Sequence, residues 1–306
     1  MTNFWRARIL AHLLPRIAAG LLALFAGSAW SYSCNMSAGG TGVLLDTYGA
    51  NQDSNGTVTL NCTRSSAEAT TLTYRIKADN GLNYSTQRRA RLGTSGNYMG
   101  YWLQRGTTVG GSAACANATN WLEPATGNTN VITGTLNFGT SLSASAVWGY
   151  CVRLPSVNII SYIFATAGIY TDTVYIYAQY PGVDGGALTP EVPLNYTIGV
   201  KEQCVFNSFP TSINFNYTSF SPTAQTDTEP FNLRCSDSLP WTVAVSPTTG
   251  TALGLNYTMS IAPASGTGTG ANQAITLTGN MPAGQTGTCA LGSCAAKIVH
   301  TVTITY

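Results

Sequence analysis

The chain repeats itself around its cysteines. Cys62 closes Thr57-Val58-Thr59-Leu60-Asn61, and 19 residues later comes Gly81-Leu82-Asn83-Tyr84. Cys235 closes Pro230-Phe231-Asn232-Leu233-Arg234, and 19 residues later the same tetrapeptide returns as Gly254-Leu255-Asn256-Tyr257. Upstream, Cys34 stands 28 residues before Cys62, and Cys204 stands 31 before Cys235. Such a repeat marks two tandem units of common descent, each long enough for its own core. The shared register pairs Cys34 with Cys62 and Cys204 with Cys235. Elimination then leaves Cys115 with Cys151, and Cys289 with Cys294 across a tight hairpin.

The segments between the cysteines alternate apolar and polar residues, with Thr, Val, Ile and Tyr prominent. Examples are Thr57 to Leu60, Leu72 to Ile76, Thr173 to Tyr177 and Thr301 to Ile304. Period-two patterning with β-branched residues predicts strands with one buried face. Asp79-Asn80-Gly81 and Ser54-Asn55-Gly56 read as turns. Only 8% of the residues are charged, which excludes a coiled coil, a helical bundle or a charge-driven disordered chain. The expected fold is all-β: two tandem immunoglobulin-like β-sandwich domains.

Arg6, Arg8 and Arg16 flank the apolar run Ile17 to Ala26, and small residues follow at Gly27, Ser28 and Ala29. The run is too short to span a bilayer stably, so residues 1–33 are expected to be a secretory signal peptide. Its removal leaves 11 basic against 12 acidic side chains, a net charge of −1. Nothing in that balance favours nucleic acid or an anionic membrane surface. All eight cysteines survive cleavage, and an even count in an exported chain favours disulfides over a metal site. Zinc would more often show close Cys-x2-Cys pairs or histidine partners, and no cofactor motif stands out.

Further pieces fall into a family pattern. Ile213-Asn214-Phe215-Asn216-Tyr217 follows the first cysteine of the second unit, and Ile275-Thr276-Leu277-Thr278-Gly279-Asn280-Met281-Pro282-Ala283-Gly284-Gln285 lies near its end. The first unit carries Leu154-Pro155 and Ala167-Gly168-Ile169-Tyr170-Thr171-Asp172-Thr173-Val174. In these residues the chain resembles the spore coat protein U family, the domain of subunits in archaic chaperone-usher pili of Gram-negative bacteria. The resemblance covers nearly all of the mature chain. It departs at Val43-Leu44-Leu45-Asp46-Thr47-Tyr48, which lacks the aromatic seen at Phe215, and in the lack of a clear Gly-x-Tyr-x-Asp element before His300.

The resemblance implies that the second domain is an incomplete pilin-type sandwich, completed by a strand from a neighbour in donor-strand complementation. The implied partners are a periplasmic chaperone, an outer-membrane usher and an adjacent pilin subunit donating a strand to the second domain. Signal cleavage would leave about one to four residues before Cys34, too few to lend a strand onward. The chain is therefore expected at the pilus tip, exported through the periplasm to the cell surface. The expected division is a signal peptide at 1–33, an N-terminal adhesive domain at 34–188, a linker or cis donor strand at 189–203 and a C-terminal pilin domain at 204–306. Leu194-Asn195-Tyr196-Thr197-Ile198-Gly199-Val200 either completes the first domain in cis, or is a plain linker or the first strand of the second. The last strand is expected over Lys297 to Tyr306, with Ile298, His300, Val302 and Ile304 on one side as the assembly strand for the chaperone.

No catalytic constellation stands out, so the chain is not expected to be an enzyme. His300, the one mature histidine, reads as a strand residue, and no nucleophile motif or carboxylate pair accompanies it. Asp79 and Asp172 read as turn or strand-entry residues. Gln87-Arg88-Arg89-Ala90-Arg91 is the only basic cluster and reads as a solvated loop or as the family's Arg-containing strand. The informative asymmetry is length: Tyr84 to Tyr180 exceeds Tyr257 to Tyr306 by 47 residues, and the excess carries Trp102, Trp121 and Trp148. Enlarged loops on a sandwich are where binding usually sits.

Two stretches fit that role as contacts with a hydrophobic surface or host ligand: Ile159, Ile160, Tyr162, Ile163 and Phe164, and the pair Trp121 and Leu122. The first reads alternatively as a buried strand and the second as core. Trp102, near Tyr98 and Tyr101, reads as core or as a sugar-stacking platform. The expected function is a pilus tip adhesin mediating attachment and biofilm formation. A carbohydrate-binding tip lectin and a secreted structural coat or matrix protein are the alternatives.

Overall fold

The computed structural model describes residues 32–39, 41–45, 52–110, 115, 119–121, 130–155, 162–290 and 292–306. The expected signal peptide lies outside them up to residue 31. In chain order the first strands are β1 (Ser33–Ala38), β2 (Thr41–Leu45), β3 (Gln52–Thr63), β4 (Thr71–Ala78), β5 (Arg89–Leu92) and β6 (Tyr98–Gly100). There follow β7 (Trp102–Val109), β8 (Thr119–Asn120), β9 (Ile132–Asn137), β10 (Ser143–Leu154), β11 (Gly168–Tyr180), β12 (Ala187–Leu188) and β13 (Val192–Val200). One sheet runs β1-β3-β10-β7-β8. The other runs β2-β13-β11-β4-β9, with β5, β6 and β12 attached. The inward residues of β11, Tyr170, Val174, Ile176 and Ala178, are all buried, and they join Leu60, Tyr74 and Trp148 in one core between the sheets.

A second, smaller sandwich follows. Its strands are β14 (Cys204–Phe206), β15 (Gln225–Cys235), β16 (Pro240–Ser246) and β17 (Thr249–Ala252), then β18 (Leu255–Ala262), β19 (Ser265–Thr267), β20 (Asn272–Met281) and β21 (Thr301–Thr305). They form a sheet β14-β15-β20-β18-β17 facing a sheet of only β19-β16-β21. The duplication read in the sequence is a duplication of pairing. β15 lies between β14 and β20 as β3 lies between β1 and β10, and β16 contacts β21 as β4 contacts β11. Cys34 stands directly opposite Cys62, and Cys204 opposite Cys235. These two pairs form disulfides, as do Cys115 with Cys151 and Cys289 with Cys294.

The two turn expectations part company. Asp79-Asn80-Gly81 is a turn, with Gly81 at φ 78° and its N–H donating to Asp79 Oδ1 at 2.9 Å. Ser54-Asn55-Gly56 is not a turn, because β3 runs straight through it. Gly56 faces Tyr150 across the sheet, and a Cβ there would collide with that ring, so its glycine serves close packing.

The segment 194–200 belongs to the first sandwich. β13 pairs antiparallel with β11 from Ile176↔Val192 to Gly168↔Val200, and parallel with β2 on its other edge. Leu194, Tyr196 and Ile198 are at most 1% exposed within the first core. Replacing Ile198 with Thr, which removes buried apolar surface and buries a hydroxyl, is expected to cost about 2 to 4 kcal/mol. Urea unfolding of the full chain measures this. A loss below about 0.5 kcal/mol, the size of a surface change, would contradict the placement of β13 in the core.

Candidate functional site: an open edge in the second sandwich

The closing strand of each sandwich can be compared directly. In the first, β11 is paired on both sides, by β4 and by β13. In the second, β21 pairs with β16 alone, and its other edge carries no strand among the described residues. By chain order the counterpart of β2 is segment 211–217, which makes no backbone ladder. Its N–H groups are met by side chains of β15 instead: Thr211 N donates to Glu229 Oε1 at 3.3 Å, Asn214 N to Asp227 Oδ2 at 2.7 Å and Asn216 N to Gln225 Oε1 at 3.0 Å. Ile213, Phe215 and Tyr217 pack from this segment against the core, and Gly279 leaves room for the first two.

The second core is therefore under-covered. Val302 and Ile304 of β21 are only half-buried, whereas Val174 and Ile176 of β11 are 1% and 0% exposed. Phe209, Phe220, Ile298, Val299 and Tyr306 are exposed apolar side chains of the same sandwich. An unpaired strand edge beside incompletely covered apolar residues is the chemistry that accepts an added strand: free N–H and C=O groups fix register, and alternate side chains fill the groove. Gln285 holds one end of this region. It accepts from Asn256 N at 2.7 Å, donates Nε2 to Asn256 O at 2.9 Å, and its backbone N–H donates to Tyr217 Oη at 2.9 Å.

The expected assembly strand over Lys297 to Tyr306 is shortened to Thr301–Thr305. The ladder to β16 ends at Ser246↔Thr301, because the next residue, Pro247, has no N–H to offer. His300 therefore lies just before the strand, where its ring bonds Tyr257 Oη at 3.0 Å and Pro247 O at 2.8 Å. Val302 and Ile304 face the core, and Ile298 is exposed outside the ladder.

The apolar contacts expected in the first unit require correction. Trp121 is fully buried, with Nε1 donating to Ile76 O at 3.1 Å and its carbonyl accepting from Arg88 at 2.6 Å. Ile163 and Phe164 are each 1% exposed, neither a finger tip nor a strand. They sit in a turn that plugs against the second sandwich. Both pack with Val205, and Phe164 O accepts from Asp237 N at 2.8 Å. The Arg234 guanidinium lies 4.1 Å from the Phe164 ring centroid, and Ile163 O accepts from Gln203 Nε2 at 2.8 Å. Apolar residues that look surplus to one unit are here shared between two. Tyr162 is half-buried, its hydroxyl accepting from Gly100 N at 3.0 Å. Ile159, Ile160 and Leu122 lie outside the described residues.

Phe164→Ala is expected to destabilise the protein by about 3 to 5 kcal/mol through the cavity it leaves. Urea unfolding of the full chain measures this, and a change within about 0.5 kcal/mol would return Phe164 to the surface.

Sequence reading missed a buried polar cluster. Asp172, at an inward position of β11, accepts from Tyr101 Oη at 2.6 Å, Leu82 N at 3.1 Å and Asn83 Nδ2 at 3.2 Å. Arg88, 4% exposed rather than solvated, donates to Asp79 O, Ala78 O and Trp121 O. The signal was present in the alternation Tyr170, Asp172, Val174, which places the carboxylate on the core face. These bonds tie the 82–88 turn to the sheets.

Burial pushes the Asp172 carboxyl above its ordinary value of 3.8, against the opposing effect of its hydrogen bonds. A carboxyl that holds its proton more tightly when folded adds stability at low pH and loses it as pH rises through the folded pKa. The stability difference between the wild type and Asp172→Asn is therefore expected to move against the wild type as pH rises from about 3.8. Urea unfolding across that range measures it, and a difference moving the other way would contradict the raised pKa.

Among the described residues, the one grouping with metal-ligand spacing is Asp53, Cys115 and Cys151. Both sulfurs are in a disulfide, and Asp53 is held by Arg153 through two bonds of 2.8 and 2.7 Å, so the group offers no vacant donor set.

No family model and no curated protein matches the chain. Among solved structures, it is similar to the pre-assembly complex of chaperone and tip adhesion subunit from the archaic Csu pili of Acinetobacter baumannii. The identity is 13% and the TM-score 0.45, over 90% of this chain and 100% of that one. It is also similar to the CupB6 tip adhesin of Pseudomonas aeruginosa, at 10% identity and TM-score 0.41, over 89% and 95%. The CooA pilin subunit of enterotoxigenic Escherichia coli matches at 10% identity and TM-score 0.36, over 56% and 99%.

Proposed function

We propose that the chain is the two-domain tip adhesin of a chaperone-usher pilus, exported through the periplasm and assembled through its second domain. The observation that carries this reading is the open edge of β21 beside a core that, among the described residues, has no counterpart of β13. A strand supplied by a periplasmic chaperone, and after it by an adjacent pilin subunit at the usher, fills that position by β-augmentation. The first domain, with its closing strand paired on both sides by its own chain, needs no donor and is free to meet a surface. Attachment and biofilm formation then fall to its loops, with Ile159, Ile160 and Leu122 as the apolar contacts still to be tested. The chain is proposed to act by binding rather than by catalysis.

Removing residues 298–306 is expected to abolish recovery of a chaperone complex and display at the cell surface, whereas Ile159→Thr with Ile160→Thr leaves capture intact and lowers attachment. Co-purification with the chaperone and a surface-attachment assay read the two arms. A truncated protein still recovered as a stable chaperone complex would overturn the assembly assignment. Unchanged attachment by the double variant would remove the apolar-loop part alone.

A further inference from the structure

The fold gives the basic cluster Gln87 to Arg91 a definite place. In β5, Ala90 enters the core, so its neighbours Arg89 and Arg91 project from the opposite, outer face of the sheet. Tyr98 stands directly opposite Arg91 in β6, and the guanidinium centres of Arg89 and Arg91 lie 4.2 and 5.7 Å from its ring centroid. Backbone carbonyls hold them as well: Arg89 Nε donates to Asn83 O at 3.0 Å, Arg91 Nε to Ser95 O at 2.6 Å, and Arg91 Nη2 to Thr94 O.

Both cations are thus kept within about 10 Å of each other, one Debye length at 0.1 M salt, where they repel. Neither meets a carboxylate, since the ion pairs among the described residues are Arg75 with Asp184 and Arg153 with Asp53. Among the same residues, Nη1 and Nη2 of Arg89 and Nη1 of Arg91 donate to nothing. The carboxylates on neighbouring elements are engaged elsewhere. Asp172 faces the core, and Asp79 accepts from Gly81 N and Tyr175 N, both at 2.9 Å, while Arg88 lies in the field of the two. In the crevice that Tyr98 also lines, Asp237 is accompanied by Arg234.

Exposed apolar side chains flank the pair. Leu82 and Tyr84, 67% and 44% exposed, stand in the turn that Arg89 holds through Asn83 O. Leu82 N donates to Thr173 O at 3.2 Å, which fixes that turn along β11. Ile169, 58% exposed, precedes by two the Thr171 that pairs with Arg91, so it points from the same face of the sheet.

Guanidinium forks held in place with free N–H groups suit the oxygens of a phosphate. A soluble phosphate would leave Leu82, Tyr84 and Ile169 in water. A bilayer covers both kinds of group: headgroup phosphates meet the guanidiniums, and the interface takes up the apolar side chains and the tyrosine. The net charge of −1 for the chain without residues 1–33 does not reveal this patch, because the charge is local.

We infer that the outer face of the first sandwich docks onto an anionic phospholipid bilayer through Arg89 and Arg91, with Leu82, Tyr84 and Ile169 entering the interface. This contact goes beyond the loop contacts proposed for attachment, and it leaves the edge of β21 free for assembly.

The test is flotation of the full exported chain with vesicles of phosphatidylglycerol and phosphatidylcholine in equal parts, against vesicles of phosphatidylcholine alone. Binding to the mixed vesicles is expected to be at least about tenfold stronger. Raising NaCl from about 0.1 to 1 M, which shortens the Debye length from about 10 to 3 Å, is expected to release the protein. Arg89→Gln with Arg91→Gln, and separately Leu82→Ser with Ile169→Ser, are each expected to weaken binding by about tenfold or more. Trp102→Ala, at an exposed aromatic of the other sheet, leaves binding unchanged.

Equal binding to both vesicles, binding that survives high salt, or binding that survives the arginine variant would overturn the inference. So would release by inorganic phosphate together with full binding by the Leu82 and Ile169 variant, which would assign the arginines to a soluble phosphate. Where the arginine variant lowers the thermal midpoint, the salt dependence of the unmodified chain decides.

Discussion

A β-strand has two edges, and the backbone groups on each are met by a neighbouring strand, by side chains or by water. In the first sandwich both edges of the closing strand are met by strands of the same chain, because β13 returns along β11 and carries Leu194, Tyr196 and Ile198 into the core. In the second, β21 is met by β16 alone. The difference in burial follows directly: a completed sheet seals its apolar face, and an incomplete one leaves Val302 and Ile304 half-covered. Segment 211–217 shows the same shortage, since N–H groups of Thr211, Asn214 and Asn216 turn to Glu229, Asp227 and Gln225 where β2 has the ladder of β13.

The two sandwiches are joined by more than the residues 201–203. The turn carrying Ile163 and Phe164 offers its carbonyls to Gln203 and Asp237 and its ring to Arg234. Burial of an aromatic side chain against a cation contributes both apolar contact and an attraction worth about 0.5 to 2 kcal/mol. The plug therefore makes the place where the units meet a packed contact in addition to a chain connection.

Much of the fold was legible because strands declare themselves by period two and repeats by register. Leu72 to Ile76, Thr173 to Tyr177 and Leu194 to Val200 read as strands and are strands, and the cysteine register gave the pairings found here. What failed were inferences from local chemistry to exposure. Ser54-Asn55-Gly56 has turn composition, but its glycine makes room for Tyr150 within β3. Ile163 and Phe164 look surplus to a single sandwich because the residues that cover them lie beyond position 200, whereas for Trp121 the reading as core is the one that holds. Of the two readings of Gln87 to Arg91, the strand holds over Arg89–Leu92, and Arg88 is buried and not solvated because its partners are backbone carbonyls, which composition does not display.

Among the described residues, the second sandwich has no strand in the place that β13 fills in the first. It is tested most directly by adding to the full chain a peptide of the sequence 192–200 and following unfolding by calorimetry. The account predicts two transitions, of which the one belonging to the second sandwich rises with peptide concentration, as binding to the folded state requires, while that of the first stays fixed. If neither transition responded, or only that of the first sandwich moved, the second sandwich would have no vacant strand position and the account would be wrong.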